Sequence, residues 1–276
     1  MTRNKPSTAV IKALVAVTVM LIVTLVLASG AAAASTYKIL HYFQNPASGE
    51  SPNGPLIFDA AGNLYGTTFY GSDLSCNPPG GCGVVFKLTP ASSGWSYTVL
   101  HTFTGPDGGT PFAGLIFDAA GSLYGTTVDG GIGTAACPGG CGVVFKLTPN
   151  ADGSWTESVL HIFVGSDGDH PFSLIFDAAG NLYGMTSTGV VFKLAPHPDG
   201  TWTESILYTL AGVTETYPPT GLILDAAGNL YGTTLFGGAG GEGVVFKLTP
   251  HPDGSWTRAC CTPFRAEWTE EIRMPG

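Results

Sequence analysis

The side chains able to do chemistry are few, and most recur at fixed intervals. Four of the six cysteines form two close pairs, CNPPGGC (Cys76, Cys82) and CPGGC (Cys137, Cys141). Thiols so placed suit either small local disulfides or parts of a metal site. A metal would need both pairs to converge from separate segments, and neither pair has C-x-x-C spacing, so disulfides are expected. His41, His101 and His161 hold one repeated position that Tyr208 fills in the last copy. A position that takes either imidazole or phenol points to a packed, hydrogen-bonded site rather than a general base. Asp59, Asp118, Asp177 and Asp225 read as turn-closing carboxylates, and Lys87, Lys146, Lys193 and Lys247 as local pairs or caps.

Three further patterns carry less. Gly238 to Gly243 spells GAGGEG, but a strand-like VVFKL follows where a dinucleotide site needs a helix, so it is expected to be a flexible loop. Asp167 and Asp169 lack the D-x-D-x-D-G spacing of a calcium loop and read as turn residues. No nucleophile elbow, H-E-x-x-H or Ser/His/Asp set is legible, and no cofactor or catalytic residue is assigned. Carboxylates repeated from unit to unit could still meet at a central axis, which leaves hydrolytic chemistry open.

The elements that position these residues are written four times: LIFDAAGNLYGTT at Leu56, LIFDAAGSLYGTT at Leu115, LIFDAAGNLYGMT at Leu174 and LILDAAGNLYGTT at Leu222, each followed by GVVFKL. The lysines of the second motif are 59, 47 and 54 residues apart, a spacing that suits a propeller blade. Each unit predicts four short strands: the LIF segment, LYGTT after the DAAGN turn, VVFKL, and an apolar run after Trp95, Trp155, Trp202 or Trp256. The apolar runs are nearly continuous, as in strands packed on both faces. The expected fold is therefore all-β, a propeller-like array of about four four-stranded antiparallel blades; a β-solenoid is the competitor, with shorter and more uniform coils. Sixteen strands result if YKILHYF from Tyr37 serves as the fourth strand of the last blade and closes the ring.

Glycine and proline number 40 and 20 among 276 residues, with 11% charged side chains, a composition of turns and buried strands rather than of long charged helices. Residues 1–34 carry Arg3, Lys5 and Lys12, a long apolar stretch and the small residues Ala32 to Ala34, the pattern of a cleaved secretory signal peptide. An uncleaved signal anchor is the alternative, and the only membrane contact expected. The whole chain has a net charge of −9 and becomes more acidic once the three basic residues of that segment are removed, which argues against a nucleic-acid partner. Export to the cell surface, the medium or the periplasm also permits the disulfides.

At LIFDAAGNLYGTT and GVVFKLTP the chain resembles the bacterial choice-of-anchor tandem-repeat GloVer family, over about residues 36–257. The resemblance implies an exported repeat protein, often surface-attached, similar in layout to propellers and without assigned chemistry. The chain departs from it after residue 257, where RACCTPFRAEWTEEIRMPG carries no sorting or anchor pattern. Arg258 to Gly276 can be reread in a neighbouring frame to resemble VLHTFTGPDGGTPFAG from Val99, so residues 258–276 are expected to be a frameshifted, disordered tail in which Cys260 and Cys261 are accidental. The domains expected are then a signal peptide over 1–34, a repeat domain over 35–257 and the tail.

Function is expected where the repeats differ. The loops joining the second and third strands span 14, 14, 2 and 8 residues, and should share a face with the blade-to-blade connections. Tyr70, Asp129, Tyr217 and Phe236 lie there and are the ligand-face candidates. The expected function is a non-catalytic binding or display scaffold for a glycan, a wall polymer or a protein. A propeller hydrolase or lyase acting on a polysaccharide or lactone, and a purely structural surface spacer, are the alternatives.

Overall fold

The computed structural model describes residues 37–74, 76, 79–210, 221–237, 241 and 243–263. Residues 1–40 and 41–276 form separate compact units, and everything below concerns the second unless residues 37–40 are named. The described residues are all-β apart from one 3-10 turn at Pro46–Ser48, with four antiparallel sheets succeeding one another as propeller-like blades. Blade 1 holds β1 (Glu50–Pro52), β2 (Ile57–Phe58), β3 (Leu64–Tyr70), β4 (Val84–Ala91) and β5 (Gly94–Thr102). Blade 2 holds β6 (Ile116–Phe117), β7 (Leu123–Thr127), β8 (Val143–Pro149) and β9 (Trp155–Ile162). Blade 3 holds β10 (Pro171–Phe176), β11 (Leu182–Thr186), β12 (Val190–Pro196) and β13 (Trp202–Thr209). Blade 4 holds β14 (Ile223–Leu224), β15 (Leu230–Thr234), β16 (Val244–Pro250) and β17 (Trp256–Pro263). Each sheet is a meander, and the described residues give seventeen strands because the first strand of blade 1 is broken into β1 and β2, both paired with β3.

Every blade is opened by the same turn. In blade 1 the Asp59 carboxylate accepts from the backbone N–H of Ala61 and Asn63, the Asn63 side-chain amide and the Tyr65 hydroxyl, while Gly62 takes φ +81°. A glycine meets that left-handed position without steric cost. Asp177 and Asp225 repeat the arrangement, and Asp118 repeats it without the side-chain amide, since Ser122 replaces the asparagine, as the turn-closing expectation requires. The four lysines of VVFKL lie over the tyrosines of LYG at 5.3 to 5.9 Å, and Lys146 also reaches Asp118 at 4.0 Å.

Both faces of a blade are apolar, and each interface between blades uses the same parts. Tyr65, Val85 and Phe103 of blade 1 form one core with Leu115, Leu123, Phe145 and Leu147 of blade 2. Tyr124, Val144 and Phe163 meet Leu174, Leu182, Phe192 and Leu194, and Tyr183, Val191 and Leu210 meet Leu222, Leu230, Phe246 and Leu248. Across β3 and β4, Gly66 pairs with Phe86, as Gly125 pairs with Phe145, and the phenylalanine ring occupies the space over the glycine.

Two expectations about the chain ends are corrected. Residues 37–45 contain no strand, so YKILHYF does not serve as the fourth strand of blade 4. β17 takes that edge, pairing with β16 from Pro250↔Trp256 to Val244↔Pro263. A short local turn brings these two strands together, whereas the distant N-terminal segment faces the larger entropic cost of closing a long loop. Residues 258–263 are accordingly part of a sheet rather than a disordered tail. His41 and Phe43 instead pack on blade 1, with Phe43 5.3 Å from Phe86 and His41 stacked 4.1 Å from Tyr97. Phe103 and Phe163 meet the next blade in the same way, each 5.1 Å from its partner phenylalanine.

Candidate functional site

The loops after the second strand and the connections between blades do share one face. Gly109 and Asp129 form a bridge, the Thr110 N–H donates to the Cys82 carbonyl, and the His170 N–H donates to the Cys141 carbonyl. Cys76–Cys82 and Cys137–Cys141 are disulfides, as their spacing suggests, and they brace the two long loops on this face. No fixed requirement for them exists in blades 3 and 4, where the corresponding loops lack cysteine.

On this face the backbone presents one position repeatedly with different side chains. Thr68, Thr127 and Thr234 each donate a hydroxyl hydrogen bond to the carbonyl of the residue two further on, which is Tyr70, Asp129 or Phe236. Three of the four ligand-face candidates are therefore equivalents, with Thr188 at the corresponding place in blade 3. Tyr217, the fourth, lies outside the described residues. Tyr70 and Phe236 are exposed. Tyr70 packs edge-on to Phe69 at 4.5 Å, and Phe69, Phe112 and Phe172 continue a row at 5.8 Å spacing across three blades.

Asp129 belongs to a polar cluster at the join of blades 2 and 3. The Thr110 hydroxyl donates to its Oδ2 at 2.6 Å, and its Oδ1 faces His170 Nε2 at 3.7 Å. The other imidazole nitrogen, Nδ1, faces Asp169 Oδ1 at 3.6 Å, and Ser187 donates to that same oxygen at 2.6 Å. Asp169 beside it raises the His170 pKa, against the effect of burial and with help from Asp129. His170 in turn holds the Asp169 carboxyl below its usual range. The result is a partly exposed imidazole, biased towards its charged form, between two carboxylates. It can donate to a ligand oxygen while Asp129 accepts from a ligand hydroxyl, or exchange a proton with either.

The backbone under this cluster is strained. Ser51, Thr110 and His170 all precede a proline and all adopt positive φ, at +57°, +52° and +47°. Non-glycine residues held there cost about 1–3 kcal/mol each and persist where surrounding bonds fix them. His170 and Thr110 were not legible as site residues from type and spacing alone. Their signal is the recurrence of a polar residue before proline at the same point of each blade connection, which only the left-handed geometry makes meaningful. Asp169, read as a turn residue, is instead paired with Ser187 and His170.

At the repeated strand position His41, His101 and His161 serve as packing groups, whereas His197 and His251 bond Thr203 and Thr257 at exposed turns. His101 and His161 are hydrogen-bonded to Asp107 and Asp167 at 3.0 Å. Among the described residues no group of three or more His, Cys, Asp or Glu side chains is placed to hold a metal ion. The residues 238–240 and 242 of the glycine-rich stretch lie outside the described residues.

A meander of four similar blades with an irregular loop face defines a propeller-like repeat scaffold. The chain belongs to the Gloeobacter/Verrucomicrobia repeat family, whose profile matches residues 26–187 and 132–263. Among curated proteins none matches it. Solved structures similar to it include a putative gluconolactonase, at 19% identity and TM-score 0.45, covering 75% of this chain and 63% of that one. A virginiamycin B lyase from Staphylococcus aureus matches at 14% identity and TM-score 0.47, covering 78% of this chain and 56% of the lyase. A gluconolactonase from Xanthomonas campestris matches at 17% identity and TM-score 0.46, covering 75% and 61%. The chain thus spans less than two thirds of the length of each of these structures.

Proposed function

We propose that this protein is an exported binding scaffold whose loop face takes a hydroxyl-rich ligand, with a glycan or wall polymer favoured over a protein. The observation that carries this is the join of blades 2 and 3, where His170 stands between Asp129 and Asp169. Paired acceptors and a donor suit vicinal hydroxyls, and the exposed Tyr70 and Phe236 elsewhere on the loop face suit the apolar side of a sugar ring. Support for export comes from the basic and apolar segment over residues 1–34, the disulfides and the family. In this proposal residues 1–34 are removed as a signal peptide.

The test is a glycan array and wall-polymer pull-down with the exported protein and its Asp129→Asn variant. Saturable binding that the variant weakens about tenfold or more, at unchanged circular dichroism, supports the assignment. Absence of any saturable ligand counts against it. Release of a shortened or rearranged product from a bound polysaccharide or lactone would move the protein to the hydrolase or lyase class. Loop deletions that alter no property would leave a spacer.

A further inference from the structure

The three interfaces between blades are copies of one another, and each end of the array displays one half of a fourth. Val85, Val144 and Val191 are 0% exposed because the next blade covers them, but their equivalent Val245 in blade 4 is 43% exposed. Ile223, beside it on the same face, is 67% exposed, whereas its counterparts Ile57, Ile116 and Ile175 are packed against the neighbouring cores. At the other end, Leu115, Leu174 and Leu222 are 2%, 4% and 3% exposed, but their equivalent Leu56 in blade 1 is 47% exposed and Phe58 is 66% exposed. The two uncovered faces are therefore the two halves of an interface that the chain makes three times within itself.

We propose that a second copy of this chain docks head to tail, with the Ile223, Tyr231 and Val245 face of one copy's blade 4 covering the Leu56 and Phe58 face of the other copy's blade 1. The occupant follows from the continuity of the array. The incoming face repeats residues that already cover a Leu/Phe face elsewhere in the molecule, whereas an unrelated partner would need that fit built anew. Blade 1 is also prepared for it. In the internal interfaces the end of the preceding blade's fourth strand contributes Phe103, Phe163 or Leu210 to the joint core. On blade 1 that place is taken within the same chain by Phe43 against Phe86, so the partner need supply only the face of its first three strands. Contact of this kind is heterologous: one patch meets a different patch, and each copy retains one free end unless the array closes.

The experiment uses the full chain, Val245→Lys and Phe58→Lys, followed by analytical ultracentrifugation over a wide concentration range. Both positions are exposed, so the variants should keep the circular dichroism and melting transition of the parent. The parent should associate in a concentration-dependent way, and each variant alone should remain monomeric. An equimolar mixture of the two variants should form a dimer and nothing larger, because only one intact pair of faces remains between them. If the parent precipitates, that mixture still reports the interface, since its growth is capped. A parent that is monomeric throughout, association that survives in both single variants, or a mixture that stays monomeric while the parent associates would each overturn the proposal.

Discussion

Two sets of carboxylates in this protein lie in opposite electrostatic environments. Asp177 is held below its usual pKa: burial opposes ionisation, but hydrogen bonds from Asn181, Tyr183 and Ala179 outweigh it. Glu157 and Glu204 lie between blades with one carboxylate oxygen each buried and lacking a hydrogen-bond partner. Burial raises both to about 7 from 4.5, with His101 opposing and Asp107 reinforcing the shift at Glu157, and Asp167 reinforcing it at Glu204. A raised carboxyl pKa means that the folded state holds its proton while the unfolded chain releases it. Stability from these two groups therefore falls as pH rises from about 4.5 to about 7 and is level above that. Glu157→Gln with Glu204→Gln should raise the melting temperature above pH 7 and change it little near pH 4, which scanning calorimetry at the two pH values will show. His170 carries a different tension, since its left-handed backbone suits asparagine better than histidine. His170→Asn trades relief of that backbone strain, worth up to about 1 kcal/mol, against the loss of a cation between Asp129 and Asp169. The urea midpoint should therefore change little at pH 8, where less of the imidazole is charged, and fall relative to the parent at pH 6, while ligand binding at the loop face is abolished.

At the level of strands, the glycine of LYG and the phenylalanine of VVF act as one unit. A methyl group on Gly125 would sit 2.5 Å from Phe145 Cζ and 2.9 Å from Leu115 Cδ2, inside a core that cannot open. Gly125→Ala should cost about 1–3 kcal/mol, read as a lowered urea midpoint with an unchanged slope. Strand identity, the order within each blade and the invariant turns were legible in the sequence, because hydrophobic runs and the Asp-to-Gly turn chemistry are local signals. The broken first strand of blade 1 was legible only in part: Asn53-Gly54-Pro55 marks a break before Ile57, but nothing local shows that Glu50–Pro52 still pairs with β3. β17 was legible only in its opening Trp256: Arg258 to Pro263 lacks the VLHTF pattern, and its pairing rests on backbone hydrogen bonds to β16, which no side-chain pattern reports. In the site, Asp129 was legible from its variable loop, whereas His170 and Thr110 needed the three-dimensional register of two blade connections.

For the molecule as a whole, stability is shared among interfaces of one kind rather than concentrated in one core. The two disulfides each close a short loop outside the strands, with Cys82 and Cys141 buried in the inter-blade cores. Reduction should therefore lower the melting temperature modestly while leaving the far-ultraviolet circular dichroism of the native state unchanged, and a loss of β signal on adding reductant would contradict it. Head-to-tail association would extend the same shared system and align the loop faces of successive copies, so that a polymeric ligand meets repeated sites and gains avidity. The pairing of β17 on β16 rests on backbone rather than on side chains. An edge strand recruits an adjoining extended segment through its backbone, largely without regard to which side chains arrive. A change of side chains along β17 can thus leave the sheet its fourth member, so this edge tolerates substitution that the covered faces of the blades do not.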